Sequence, residues 1–186
     1  YDPQLFTAKN NLVLARAGQR KYDLPVIKMT QTERAELLYS MALAAIKQGD
    51  ADSLLAAIAA YERAITVDAG YGHAHARLAL ARIQLATRFP AEAGDVREAG
   101  EKARREAATA LRLAPDSTAA HAANAAWLGS IALDQAGALT ETERALALSP
   151  RDASLLHFLA VRQTAFGRLE EAAATLRRAR VLNPLS

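Results

Sequence analysis

The sequence predicts an all-α fold, a solenoid of stacked helix-turn-helix hairpins, and three observations carry that prediction. The apolar half of the chain, 51% of its residues, is mostly alanine and leucine, and aromatics make up only 5%. That mix, with scattered β-branched residues, favours helices over strands. Small residues then recur at a fixed spacing of seven and five: Ala57/Ala64/Ala69, Ala103/Ala110/Pro115, Ala138/Ala145/Pro150 and Ala172/Ala179/Pro184. The stops Pro115, Pro150 and Pro184 are 35 and 34 residues apart, which is the period of a two-helix repeat.

Alanines seven apart lie on nearly one helix face and let two helices approach closely, while a proline without an N–H ends the second helix. A second small anchor precedes each set, at Ala42, Ala79, Ala125 and Ala160, where the first helix is expected to touch the second. In chain order, residues 1–29 read as a degenerate partial repeat and linker. Asp2-Pro3 looks like a repeat end, 8–15 like a first helix, Tyr22-Asp23 like its turn, and Pro25 interrupts the second helix expected there. Repeat one covers 30–69; Thr30 with Glu33 forms a capping box, and Gly49-Asp50 ends its first helix. Repeat two covers 70–115 and carries about a dozen extra residues between its helices, where Pro90, Gly94 and Gly100 predict a loop or broken helix. Repeats three (116–150) and four (151–186) have near-standard length, with turns near Gly137 and Gly167. Together they form one continuous solenoid domain.

This pattern resembles the tetratricopeptide repeat (TPR) family over nearly the whole chain. It departs from that family in lacking the signature tryptophan, and the usual aromatic partners are mostly Ala, His or Leu. His75 and His121 stand where the family has its large packing residue, so gap filling between helices is their expected role. The segment 57–68 is further similar to TPR regions of bacterial class III adenylate cyclases and winged-helix transcription regulators. The resemblance implies a right-handed superhelix that acts as a protein-protein interaction scaffold, binding a partner peptide or helix in a concave groove. It also implies an alternative, a regulatory or sensory region of a larger multidomain enzyme or transcription regulator.

Groove positions carried over from the family are Glu36, Tyr39, Leu43, Ile46 and Lys47 in repeat one, and His73, Ala76, Leu80, Ile83 and Gln84 in repeat two. Repeat three contributes Ala119, Ala122, Ala126, Gly129 and Ser130; repeat four contributes Ser154, His157, Val161 and Thr164. The small residues of repeat three would make a shallow trough, or else serve only to allow tight superhelix curvature. Tyr39, Leu43, Leu80, Ile83 and Val161 would anchor an apolar ligand segment, unless a neighbouring helix covers them. The lysine and asparagine clamp with which some TPRs hold acidic chaperone C-termini is replaced here by Tyr39, Leu43, Ala76 and Leu80, which argues against that ligand.

Other function classes find little support. A formal charge of +3, from 23 basic and 20 acidic residues that are interspersed, gives no nucleic-acid footprint. The apolar run at 125–133 is too short to span a membrane. Without cysteine there is no thiolate metal site or disulfide framework. His73 and His75 are two apart on a helix and point to different sides. Asp50 and Asp52 lack the rest of a calcium loop and fit a helix cap better. Gly70-Tyr-Gly72 lacks the third glycine of a dinucleotide fingerprint, and no hydrolase, metalloprotease or P-loop motif occurs. The expectation is no enzyme, no cofactor and no metal. Arg168, Arg177, Arg178 and Arg180 read as a solvated helix face near a C-terminus. The cytoplasm is favoured over the periplasm, with thiols silent on the point. The start at Tyr1 and the end after Asn183-Pro184 without a polar capping helix suggest an excised piece, or a homo-oligomer joined through an uncapped solenoid end.

Overall fold

The computed structural model of the chain describes residues 30–46, 50–92 and 95–183. The degenerate repeat expected at 1–29, together with Lys47, Gly49, Gly94 and the stop at Pro184, lies outside the described residues. The described residues fold into eight helices with no strand: α1 (Gln31–Ala45), α2 (Ala51–Val67), α3 (Gly72–Arg88), α4 (Val96–Leu113), α5 (Thr118–Ser130), α6 (Gln135–Leu148), α7 (Ala153–Ala165) and α8 (Leu169–Leu182).

Helix starts are written locally. Thr30 and Glu33 form the expected capping box, with the Glu33 carboxylate accepting from the Thr30 N–H at 2.9 Å. Asp50, Asp95, Ser117, Asp134 and Asp152 each accept from a backbone N–H of the first turn, satisfying donors a helix start leaves free. Asp50 therefore caps α2, its oxygen 2.7 Å from the Ser53 N–H, and hydrogen bonding to Ser53, through its side chain first and its backbone second, lowers the carboxyl pKa.

The helices pair as antiparallel hairpins, α1 with α2, α3 with α4, α5 with α6 and α7 with α8, and each hairpin packs on the next. The repeating alanines are what make contact. Ala57, Ala64, Ala103, Ala110, Ala138, Ala145, Ala172 and Ala179 are all buried, as are the upstream anchors Ala42, Ala79, Ala125 and Ala160. Two core clusters result. One is built on Leu54, Tyr61, Leu78 and Leu85 between the first and second hairpins. The other consists of Ala76, Ala79, Ala107, Ala110, Ala120 and Ala123 between the second and third.

Two sequence expectations need correction. The extra residues of the second hairpin are taken up mainly as helix, since α3 and α4 run 17 and 18 residues against 13 and 14 for α5 and α6. Gly100 lies inside α4, buried, where an added Cβ would come within 2.8 Å of Ile131 Cγ2; it permits close approach and breaks nothing. Gly137 likewise belongs to the first turn of α6, because Asp134 caps that helix through the Gly137 N–H at 2.9 Å. The turn itself precedes it and uses Leu133 at φ 59°. Gly167, at φ 73°, does sit in the turn between α7 and α8.

Candidate functional site: a groove between α3, α5 and α7

The first helices of the last three hairpins enclose a cavity of about 970 Å³. One wall is His73, Arg77, Leu80 and Gln84 of α3, which recur at three- and four-residue spacing and so share a face. The floor is Ala119, Ala122, Ala126 and Ser130 of α5, and the far wall is Ser154, Leu155, Phe158 and Arg162 of α7. The α4–α5 turn, residues 114–118, closes one end. The floor side chains are small, three methyls and one hydroxymethyl.

Polar groups in the cavity are unequally engaged. Asp152 is occupied in capping α7, accepting from the Ser154 and Leu155 N–H groups at 2.9 and 3.1 Å. Arg162 lies across Gly129, where an added methyl would collide with the guanidinium. It donates to Gln135 Oε1 at 2.8 Å, and Gln135 Nε2 donates to the Gly129 carbonyl at 2.9 Å. Burial lowers the Arg162 pKa. Among the described residues, the buried Nε atoms of Arg77 and Arg162 have no hydrogen-bond partner.

Of the positions expected from sequence, His73, Leu80, Gln84, Ala119, Ala122, Ala126, Ser130 and Ser154 line this cavity. Ala76, Ile83 and Gly129 are buried instead, Ala76 within the alanine cluster. His157, Val161 and Thr164 are exposed but outside the lining, with His157 edge-on to Phe158 at 6.3 Å between ring centroids. In the first hairpin Glu36 is exposed, while Tyr39, Leu43 and Ile46 are half-buried. Tyr39 packs its ring against Tyr61 at 5.7 Å and Tyr71 at 5.4 Å and so belongs to the first core. Burial pushes the Tyr61 and Tyr71 phenols up to about 12. Arg77, Phe158 and Arg162 were missed by the sequence reading. Arg77 and Phe158 both stand two residues before an anchor alanine, Ala79 and Ala160, and that register could have found them.

Among the described residues no group of three or more His, Asp or Glu side chains could hold a metal, and no helix is long and apolar enough to cross a membrane.

No family model and no curated protein matches the sequence. Solved structures do match in shape. A MamA fragment from Desulfovibrio magneticus RS-1 aligns at a TM-score of 0.54 and 14% identity, over 81% of this chain and 76% of that one. The first TPR of Spaghetti (RPAP3), bound to the HSP90 peptide SRMEEVD, aligns at 0.55 and 20% identity, over 73% and 95%. TTC0263, a thermophilic TPR protein in Thermus thermophilus, aligns at 0.50 and 19% identity, over 82% and 93%. The fold is that of the TPR solenoids, a right-handed superhelix of helical hairpins.

Proposed function

We propose that the chain is a protein-interaction scaffold that holds a helical or extended segment of a partner polypeptide in the groove between α3, α5 and α7. The observation that carries this reading is the 970 Å³ cavity, open along an alanine floor and flanked by Leu80 and Phe158. Size and chemistry suit a peptide segment: Leu80, Leu155 and Phe158 supply apolar burial, and the polar groups of both walls fix orientation. The peptide held by one structural neighbour supports the same reading. The ligand here differs in class from an acidic chaperone tail, because Tyr39, Leu43, Ala76 and Leu80 replace the clamp. Affinity capture with three variants tests it. Leu80→Asp and Ala126→Trp are expected to abolish retention of the partner, while Ala108→Asp on the exposed side of α4 leaves it intact. Retention that survives both groove changes overturns the proposal.

For the self-association expected from sequence as one of two alternatives, we propose the face of α8 that carries Leu169 and Leu176. Leu176 holds the register of Tyr61, Ala107 and Thr142, which are 0%, 1% and 2% exposed beneath the next hairpin, yet Leu176 is 43% exposed. Leu169 and Leu176, seven apart on α8, share one apolar face. A second copy of the chain covering this face predicts a dimer in light scattering that Leu176→Asp converts to monomer. A monomeric wild-type chain rules it out.

A further inference from the structure

His75 and His121 occupy the same register, four residues before the anchors Ala79 and Ala125, and they make the same two contacts. His75 Nδ1 is 2.5 Å from Glu106 Oε2, and its Nε2 is 3.1 Å from the Ala69 carbonyl. His121 Nδ1 is 2.7 Å from Glu141 Oε2, and its Nε2 is 2.9 Å from the Pro115 carbonyl. Glu106 and Glu141 are themselves equivalent, each three residues after the alanine that starts its set, Ala103 or Ala138. Each ring thus joins the second helix of its hairpin to the turn by which the chain enters that hairpin.

We propose that the His75 pair is a protonation-dependent clasp, closed while ring and carboxylate form an imidazolium pair and slackened when the ring gives up its proton, and that the His121 pair repeats its geometry as a second clasp. The geometry requires it: both partners of each ring are oxygens that accept and do not donate, so both ring nitrogens must carry hydrogen for both bonds to exist. A neutral ring with an ionised glutamate leaves one lone pair facing an oxygen. The charged groups that act on His75 are Glu106, which stabilises the imidazolium, and Arg112, which opposes it, both from α4. Glu141 faces His121 from α6 and is also held by Arg144 at 2.7 Å. The hydrogen bond to Glu106 outweighs burial and raises the His75 pKa. A raised folded pKa makes the clasp fully present below the unfolded histidine value of about 6.5 and loses it as pH climbs through the folded one. The second clasp also bears on the groove, since Pro115, whose carbonyl it holds, lines it.

The outer hairpins show what the fold does without a clasp. The matching pairs are Leu38 with Ala60 and Leu156 with Thr175, so the test borrows them: His75→Leu with Glu106→Ala, and His121→Leu with Glu141→Thr. Thermal unfolding of the full chain from pH 6 to pH 9 should show the wild type losing about 2–4 °C relative to the variant that lacks the His75 clasp. The same fall in both proteins overturns the proposal. Ring nitrogen NMR on the wild type decides independently of whether the variants fold. A doubly protonated His75 ring at pH 6 and a His75 midpoint above about 6.5 are expected; a neutral His75 tautomer at pH 6 or a midpoint at or below that value sinks it.

Discussion

The first two hairpins bury large side chains where they meet, whereas the buried core between the second and third is alanine, with Leu80 and Leu111 packed only partly buried against it. Tyr61, Leu54 and Leu78 fill the first junction, and each is at most 1% exposed. The second junction is Ala76, Ala79, Ala107, Ala110, Ala120 and Ala123. A methyl removes little area from water, so at ~25 cal/mol per Å² the alanine layer gains less per residue by transfer and relies on close backbone approach and dispersion. The two histidine clasps lie in the hairpins that flank this alanine layer, and the outer hairpins put Leu38 and Leu156 in the same place. Directional bonds appear where side chains are too small to interlock. The groove follows from the same economy, because its floor is the other face of the alanine-rich helix α5.

The contrast can be broken by exchanging what each junction tolerates. Tyr61→Ala removes a fully buried ring that also supports Tyr39, and a loss of about 3–5 kcal/mol in unfolding free energy is expected. Ala107→Leu adds volume to a layer with no room for it, for a loss of about 1–3 kcal/mol. Urea denaturation measures both. If the tyrosine truncation costs less than the alanine enlargement, the first junction does not depend on its large side chains.

Next in size is Glu141→Ala, which leaves the His121 Nδ1 facing no acceptor and strips Arg144 of its partner. A loss of about 1–3 kcal/mol is expected at pH 6, and it should shrink when His121 is already leucine. An equal loss in both backgrounds would place the effect of Glu141 outside the clasp.

The solenoid was legible in the sequence because close helix packing demands small residues at a helical period, and the anchors Ala42, Ala79, Ala125 and Ala160 all proved buried. Glycine misled twice, for opposite reasons. Gly100 reads as a breaker but serves a close contact with Ile131, and Gly137 reads as a turn but follows the Asp134 cap. Both roles depend on a partner distant in sequence or on one capping bond. The cavity lining was legible at His73, Leu80 and Gln84 of α3 and at Ala119, Ala122, Ala126 and Ser130 of α5, but not at the buried Ala76 and Ile83. On α7 the lining passes to Phe158 and Arg162 in place of His157 and Val161, a rotation of one position that Arg77 shares on α3 and that places Arg77 and Phe158 two residues before their anchor alanines. The clasps were half visible: the histidines stood out as substitutes for a large packing residue, but the dozen extra residues of repeat two hide the equivalence of Glu106 and Glu141 until the alanines are aligned.

The smallest effect expected is the most discriminating. The hairpins flanking the alanine junction hold the paired His75 with Glu106 and His121 with Glu141, while the first junction buries the Tyr61 hydroxyl with no hydrogen-bond partner among the described residues. Tyr61→Phe keeps the ring and deletes that oxygen, so desolvation is relieved and no bond is lost. A gain of up to ~1 kcal/mol is expected, with an unchanged denaturant slope. Because the phenol is already pushed up to about 12 by burial, the gain should be the same at pH 6 and pH 9, unlike any change made at a clasp. A loss on Tyr61→Phe would mean that the hydroxyl is satisfied after all, and that the large-residue junction also depends on a directional bond.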